Sequence, residues 1–313
     1  MSNEKIIAVV GATGAQGGGL VRAILAHPES GLKVRAITRD PNSERARALA
    51  AAGAEVVGAD LDDRDSVQRA FDGAYGAFCL TNFWEHFTPQ KEIDQAANMA
   101  AAAKAAGLRH VIWSTLEDTR RWVPLESDRM PTLMERFKVP HFDAKGEADA
   151  LFADLPTTYL LTSFYWDNFI HFGMGPTPGP DGVLGITFPI GDKPLPAIAA
   201  EDIGKCAFGI FRDGDALIGK TIGVAGEHLT GAQMAAAFTA LIGKEVRYNE
   251  VPPEVYRGFG FPGAEDLGNM FQFKRDFNDD FCRVRDVDFA RHLNPDLQTF
   301  SGWLQANRAA FVG

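Results

Sequence analysis

The stretch VVGATGAQGGGLVRAI, at residues 9–24, constrains the fold of this chain more than any other feature. An apolar run ends in glycines spaced Gly11-x-x-Gly14-x-x-Gly17, and an apolar stripe then resumes at helical spacing. Gly11 allows a tight turn, Gly14 lets the backbone approach phosphates, and Gly17 lets the helix pack close to the strand. The start of the helix adds free N–H groups and a partial positive charge. We therefore predict that this turn binds the pyrophosphate of a dinucleotide.

The first half of the chain alternates short apolar runs with segments of helical periodicity. The runs predicted to be strands are KIIAVVG (5–11), KVRAITRD (33–40), AEVVGAD (54–60), YGAFCLTN (75–82) and RHVIWST (109–115). Apolar strands separated by helices indicate a parallel sheet that helices cover on both faces. The predicted fold class is α/β: a Rossmann-type doubly wound parallel sheet with a smaller C-terminal α/β region.

The sequence also suggests two parts. Residues 1–160 are predicted to form an NAD(P)-binding Rossmann domain, and a strand near 158–164 is expected to join its sheet. Residues 165–313 are predicted to form a smaller region that binds a substrate or a partner. Within it, the Gly- and Pro-rich segment 173–182 indicates a crossing loop. The aromatic-rich segment 256–273 fits either core packing or an apolar substrate pocket or partner groove.

Composition excludes several classes of function. The formal net charge is −10 and no basic stripe is present, so we do not expect direct binding of nucleic acid. No apolar run approaches the roughly 20 residues that span a bilayer, and no signal peptide precedes the first strand. Three widely spaced cysteines indicate buried thiols in a reducing cytoplasm. The histidines show no HxxxH or HExxH spacing, so no metal site is expected.

The end of the second predicted strand, Thr38-Arg39-Asp40, bears on the choice of cofactor. An acidic residue there binds the ribose 2′-hydroxyl of NAD, whereas an arginine accommodates the 2′-phosphate of NADP. Arg39 can make a bidentate contact with phosphate, and Asp40 can turn away to cap the segment that starts at Pro41. The alternative is an exposed Arg–Asp pair with no ligand. We predict NADP(H) in preference to NAD(H).

Several motifs together resemble the NmrA-like family, an atypical branch of the short-chain dehydrogenase/reductase superfamily. They are VVGATGAQGG, VRAITRDP, GADLDD, TNFWE, HFDAKGE and FPGAEDLGNMF. The resemblance covers nearly the whole chain and is greatest to the animal NADPH-sensor members. It implies NADP(H) binding, redox sensing or transcriptional co-regulation through a partner protein, and a monomer or homodimer. In one departure, the family often has a second basic residue near Arg39, where this chain has Asn42 and Ser43.

The resemblance also implies roles for individual positions. Asp60 and Leu61 would flank the adenine, residues 81–83 would line the path to the nicotinamide, Lys145 would hold its ribose, and residues 165–168 would close over it. The implied cofactor-binding residues are Gly11, Thr13, Gly14, Ala15, Gln16, Gly17, Arg39, Asp60, Leu61, Thr81, Asn82, Phe83, Lys145, Tyr165, Trp166, Asp167 and Asn168.

Reductases of the parent superfamily use Ser, Tyr and Lys, with Tyr and Lys four residues apart on one face of a helix. There the lysine lowers the pKa of the tyrosine, which passes a proton to the substrate. The matching segment here is His141-Phe-Asp-Ala-Lys145, and Ser114 or Thr115 would supply the serine. The predicted catalytic residues are His141, Lys145 and Ser114. Tyr165 is expected to pack on the cofactor, with a role as a substitute acid as the alternative. Alternatively, Lys145 only bonds the ribose and His141 only lines the pocket.

Two functions are compatible with these residues. One is an NADP(H)-binding regulator, which requires NADPH and NADP⁺ to differ in affinity for two conformations. The other is an NADPH-dependent reductase of a small carbonyl, quinone or imine substrate. Because histidine replaces the tyrosine, the sequence favours a redox-sensing or regulatory protein with little or no catalysis.

Overall fold

The computed structural model describes residues 4–312. The strands are β1 (Lys5–Val9), β2 (Leu32–Thr38), β3 (Glu55–Gly58), β4 (Gly76–Cys79), β5 (His110–Thr115), β6 (Thr157–Leu161), β7 (Phe164–Tyr165), β8 (Thr177–Pro178), β9 (Leu184–Phe188), β10 (Leu195–Ile198), β11 (Thr221–Gly223), β12 (Glu227–Leu229) and β13 (Val246–Glu250). The helices are α1 (Ala15–Ala26), α2 (Glu44–Ala51), α3 (Arg64–Phe71), α4 (Pro89–Ala105), α5 (Pro140–Ala148), α6 (Asn168–His171), α7 (Ala200–Asp213), α8 (Gly231–Ile242), α9 (Pro253–Arg257), α10 (Ala264–Asp276), α11 (Asn278–Val284), α12 (Val287–Leu293) and α13 (Phe300–Ala306).

Seven strands form one parallel sheet in the order β3-β2-β1-β4-β5-β6-β11. The predicted α/β fold with a doubly wound Rossmann-type sheet is confirmed. Its central strands β4 and β5 are buried along their whole length, as strands covered on both faces should be. The strand order reverses between β1 and β4, and in such sheets ligands bind outside the carboxyl ends of the strands at this reversal.

The rest of the chain builds two small sheets, β12-β10-β7 and β13-β9-β8, with helices α8, α10, α11 and α13 around them. An aromatic core holds this region together, and Phe188 and Phe238 are fully buried within it. No helix among residues 4–312 is long and apolar enough to cross a membrane.

The division into residues 1–160 and 165–313 stays a prediction, but elements from the second half of the chain also contribute to the large sheet and its helix layer. Strand β11 completes the large sheet beside β6, and α7 packs across α1. Glycines make this helix crossing close: a Cβ on Gly19 would lie 2.3 Å from the carbonyl oxygen of Glu201, and one on Gly204 would lie 2.2 Å from the amide nitrogen of Leu20. The large sheet therefore needs residues from both halves of the chain.

Candidate functional site

A cavity of about 980 Å³ opens at the strand-order reversal, between the large sheet and the C-terminal region. Both halves of the chain line it, from the glycine-rich turn to helix α10. The predicted site residues that line it are Gly11, Thr13, Gly14, Ala15, Gln16, Gly17, Arg39, Asp60, Leu61, Thr81, Asn82, Phe83, Ser114, His141, Lys145, Tyr165, Asp167 and Asn168. Within residues 4–312, no cluster of His, Cys, Asp or Glu side chains could hold a metal ion.

Trp166 is the one predicted site residue that does not line this cavity, so its role over the nicotinamide stays a prediction. Its side chain is fully buried in the aromatic core of the C-terminal region. Its ring centroid lies 5.4 Å from that of Phe300 and 6.2 Å from that of Trp303. The large indole gains more from this packing than from the edge of an open cavity.

The glycine-rich turn has the geometry of an anion site. Gly11 has a φ of +64°, which a residue with a side chain rarely adopts, and its carbonyl accepts the N–H of Gly14 at 2.9 Å. A Cβ on Gly17 would lie only 2.4 Å from that same carbonyl oxygen. Helix α1 starts at Ala15 with no side-chain cap and no acidic residue in its first turn. Its first N–H groups are therefore free to bind a phosphate.

Two arginines line the cavity close to the end of β2 in sequence: Arg39 directly after the strand, and Arg45 in α2. Arg39 pairs with Glu85, whereas the Oδ1 atom of Asp40 accepts the N–H of Asn42 at 2.9 Å and so caps its own turn. Asp40 does not line the cavity, but Arg45 does. The sequence prediction missed Arg45 because α2 begins two residues after Asn42 and brings its second residue round to the cavity. This arginine supplies the second basic group near Arg39.

The edge expected to hold the adenine is organised by hydrogen bonds of the loop after β3. The Oδ1 atom of Asp60 accepts the N–H of Asp62 at 3.0 Å, and the half-buried Leu61 offers an apolar contact. Asp62 in turn pairs with Lys91 at 2.7 Å and accepts a hydrogen bond from Gln95 at 2.9 Å. The bond from Lys91 lowers the pKa of Asp62, so this carboxylate is charged and locks α4 to the loop.

Lys145 is held in one orientation at the end of β4. Its Nζ donates to the carbonyl oxygen of Thr81 at 3.0 Å and to the hydroxyl oxygen of Thr81 at 2.7 Å, and it lies 2.8 Å from Oε1 of Glu92. Glu92 is fully buried in α4 and also accepts the hydroxyl of Thr81 at 2.6 Å. Glu92, which balances the lysine charge, was not predicted from the sequence.

Ser114 takes part in a different chain of hydrogen bonds. Its hydroxyl donates to Oε1 of Gln16 at 2.9 Å, and Nε2 of Gln16 donates to the hydroxyl of Tyr165 at 2.5 Å. Ser114 therefore fixes the first turn of α1 and does not bond to His141 or Lys145. Burial raises the pKa of Tyr165, which makes this phenol a poorer acid than the substitute role requires.

A buried carboxylate fixes the start of α5, the helix that carries both His141 and Lys145. Asp143 accepts the backbone N–H of Thr119 at 2.7 Å, the Thr119 hydroxyl at 2.6 Å, and the N–H groups of Lys138 at 2.7 Å and Val139 at 3.0 Å. Because these four bonds tie the loop after β5 to the first turn of α5, the two functional side chains project from a rigid helix.

His141 forms a dyad with a residue from the far end of the chain. Its Nδ1 lies 2.5 Å from Oδ1 of Asp266, and its backbone N–H donates to Oδ2 at 3.1 Å. Since a carboxylate only accepts, Nδ1 carries a hydrogen and Nε2 is the nitrogen left for a ligand. The ring also packs against Trp84 with a centroid distance of 4.8 Å. Asp266 is 125 residues away in sequence and was not predicted.

The cavity beyond the dyad is apolar. Segment 256–273 serves both of the roles considered for it: Phe271 and Phe273 are buried in the core, and other members face the cavity. The apolar residues lining this end are Phe83, Trp84, Phe87, Phe142, Phe164, Phe172, Met174, Phe261, Pro262, Leu267 and Met270. Such a surface suits an apolar substrate next to the dyad.

The model of the NmrA-like family matches residues 3–304. The chain belongs to the NmrA-like family. Among its relatives is the NmrA-like family domain-containing oxidoreductase FrzB of Cladobotryum sp., which is 32% identical over 292 residues, covering 86% of this chain and 83% of FrzB.

Solved structures of family members agree with this assignment. A crystal structure of NmrA, a negative transcriptional regulator, is 27% identical with a TM-score of 0.79 and covers 99% of this chain and 96% of NmrA. NmrA has also been solved in complex with NADP (26% identity, TM-score 0.75, covering 98% of this chain and 95% of NmrA) and in complex with NAD (26% identity, TM-score 0.78, the same coverage). The family assignment is confirmed, and a special likeness to animal NADPH sensors stays a prediction.

Proposed function

We propose that this NmrA-like protein is an NADPH-dependent reductase of an apolar carbonyl, quinone or imine substrate, with His141 as the proton donor. The observation that carries the proposal is the His141–Asp266 dyad, because its His141 lines the same cavity as the glycine-rich turn and Lys145. The relatives named as oxidoreductases support the same class of activity.

The choice of NADP(H) rests on residues at the far end of that cavity. Arg39 and Arg45 both line it, and Asp40 turns its carboxylate into the following turn. A 2′-phosphate would replace Glu85 as the partner of the Arg39 guanidinium. Separating the exposed Arg39–Glu85 pair costs little free energy. The complexes of NmrA with NADP and NAD support a dinucleotide in this cleft.

When bound, NADPH supplies the hydride, and the residues of this chain manage the proton. An imidazolium at His141 would donate from Nε2 to the substrate oxygen or nitrogen as negative charge develops there. Asp266 orients the ring and stabilises the imidazolium, as a carboxylate does for a catalytic histidine. Aromatic walls from Phe83 and Trp84 keep water from the reacting atoms.

Two contacts favour catalysis over the purely regulatory role suggested by the sequence. A nearby lysine disfavours a protonated histidine. Here, however, Glu92 lies 2.8 Å from Nζ of Lys145 and offsets its charge. Asp266 further orients the His141 ring, with Nδ1 2.5 Å from its Oδ1. The missing tyrosine is thus replaced by a histidine that has its own buried partner.

A second candidate is the regulator, acting in the cytoplasm on a partner protein as a monomer or homodimer. Exposed aromatic side chains at the cavity mouth favour it, because such patches mark binding surfaces. They are Phe87 (38% exposed), Phe172 (62%) and Phe261 (37%). The name of NmrA as a transcriptional regulator agrees with this role.

The test is NADPH oxidation by the purified protein against a panel of aromatic aldehydes, quinones and cyclic imines. We expect turnover with at least one class, and turnover at least about tenfold slower with NADH at equal subsaturating concentration. If no member of the panel is reduced, while NADPH and NADP⁺ change the association state differently, the regulator is the correct function.

Arg39→Ala is expected to weaken NADP⁺ binding by about ten- to a hundredfold, the worth of a lost charge-assisted bond to phosphate, and to leave NAD⁺ binding nearly unchanged. Arg45→Ala should have the same selectivity with a smaller loss. Arg47→Ala is the matched control, because Arg47 lies on the same helix but does not line the cavity. Calorimetric titration measures all three variants. Equal losses for the two nucleotides would show that Arg39 does not recognise the 2′-phosphate.

A further inference from the structure

Lys274 is a buried amine in the apolar end of the cavity. Its side chain is only 2% exposed, yet it lines the cavity from helix α10. Among residues 4–312, its Nζ donates none of the hydrogen bonds found, and no hydrogen bond contributes to its electrostatics. A lysine so placed is uncommon, because lysines are almost never fully buried unless they are paired.

Four aromatic rings surround this amine. Its Nζ lies 5.5 Å from the ring centroid of Phe142, 5.9 Å from that of Phe164, 5.8 Å from that of Phe271 and 5.2 Å from that of Phe281. Ring faces attract a cation but accept no strong hydrogen bond. The three donors of the ammonium therefore stay without acceptors in the protein.

Neither of the two charged groups near Lys274, Arg285 and Glu117, forms an ion pair with it. Arg285 and Glu117 bond to each other, with Nη1–Oε1 at 2.6 Å and Nη2–Oε2 at 3.0 Å, so the carboxylate of Glu117 is already occupied. Burial, together with the cationic Arg285, lowers the pKa of Lys274 from 10.5 to about 7, and Glu117 opposes this only in part. An apolar side chain would fill the same space at lower cost in folding free energy.

We propose that Lys274 binds an anionic oxygen of the substrate, such as a carboxylate, and so selects elongated apolar acids for reduction at His141. This inference rests on the reductase function proposed above. Asp266, Met270 and Lys274 follow one another at four-residue steps along α10, so Lys274 lies about 12 Å along the helix axis from the partner of His141. Met270 and Phe142 line the space between and would contact the apolar body of the substrate.

A binding experiment tests this without turnover. Calorimetric titration, with and without NADP⁺, would compare 4-biphenylcarboxylate with the neutral 4-biphenylmethanol at pH 6.5. The natural protein should bind the acid at least about tenfold more tightly, and Lys274→Met should abolish that preference. Lys244→Met is the matched control, because it removes the same charge at an exposed position that does not line the cavity, and it should keep the preference. Equal affinity of the natural protein for the two probes would overturn the proposal.

Thermal unfolding supplies a second, independent readout. If Lys274 serves a ligand and not the fold, Lys274→Met should raise the melting temperature at pH 6.5. The unfolded chain holds the lysine proton more tightly than the folded one, so the stability of the natural protein rises with pH between about 7 and 10.5. The advantage of the variant should therefore shrink over that range. A variant less stable than the natural protein would mean that Lys274 is structural, contrary to the proposal.

The outcomes separate this inference from the reductase function. Lys274-dependent binding of the acid without any NADPH turnover would leave the inference standing and remove the reductase. Turnover that depends on His141 but shows no preference for acids would support the reductase function and overturn this inference. Covalent trapping of 4-biphenylcarboxaldehyde on Lys274 by borohydride would contradict the proposal, because the amine would then act as a nucleophile.

Discussion

His141→Gln is expected to lower kcat by about a hundred- to ten-thousandfold, the usual worth of a general acid, while NADP⁺ affinity changes little. The glutamine amide can still donate to the buried Asp266, so the helix position should be kept, but it cannot transfer a proton near neutral pH. The measurement is NADPH oxidation with the best substrate of the panel, followed as kcat and KM over pH 5 to 9.

Two companion variants make this result specific. Asp266→Asn should give a smaller loss in kcat, because the ring keeps a partner but the imidazolium loses its countercharge. His171→Gln is the control: His171 is exposed and lines the same cavity, and no carboxylate among residues 4–312 bonds to it. If His141→Gln keeps turnover within about threefold, while its pH profile is unchanged, His141 is only pocket lining.

Gly17→Ala is expected to reduce the affinity for NADP⁺ and NADPH by more than about a hundredfold. The added Cβ would lie 2.4 Å from the carbonyl oxygen and 2.7 Å from the carbonyl carbon of Gly11, and 2.8 Å from the carbonyl oxygen of Val10. These are backbone atoms, so either the turn or the start of α1 must move. Forcing an extra methyl into such packing costs about 1 to 3 kcal/mol of stability, and the displaced helix N-terminus would lose its contact with the phosphates.

Circular dichroism and thermal unfolding would show whether Gly17→Ala is folded at the titration temperature. Gly302→Ala is a suitable control, because it places a methyl group in α13, where the nearest atom is the N-capping side-chain hydroxyl of Thr299 at 3.2 Å and no backbone atom blocks it. Nucleotide binding by Gly17→Ala equal to that of the natural protein would show that the ligand does not use this turn.

Local patterns account for what the sequence could predict. The apolar strands, the glycine spacing and the Arg39 position lie within short segments, so periodicity and turn chemistry were sufficient to place them. The return of β11 to the large sheet depends on pairing with β6, some 60 residues earlier in the chain, and a strand of three residues has almost no pattern of its own.

The missed site residues share another cause. Asp266 reaches His141, and Lys274 reaches the cavity, only because α10 packs beside α5. In sequence, a helix that also carries Phe271 and Phe273 looks like core. Glu92 is hidden in the same way, as a charged residue on an otherwise Ala-rich helix. Trp166 differs from its neighbours in sequence, which reach the cavity, because its own side chain lies in the aromatic core.

The most direct test of the whole account is calorimetric titration of the nucleotide-free protein with NADPH, NADP⁺, NADH and NAD⁺. All of the chemistry proposed for His141 and Lys145 requires a dinucleotide in the cleft that begins at Gly11. We predict that NADPH and NADP⁺ bind at least about tenfold more tightly than NADH and NAD⁺. If none of the four binds, the glycine-rich turn only packs α1 against β1, and the reductase function is wrong.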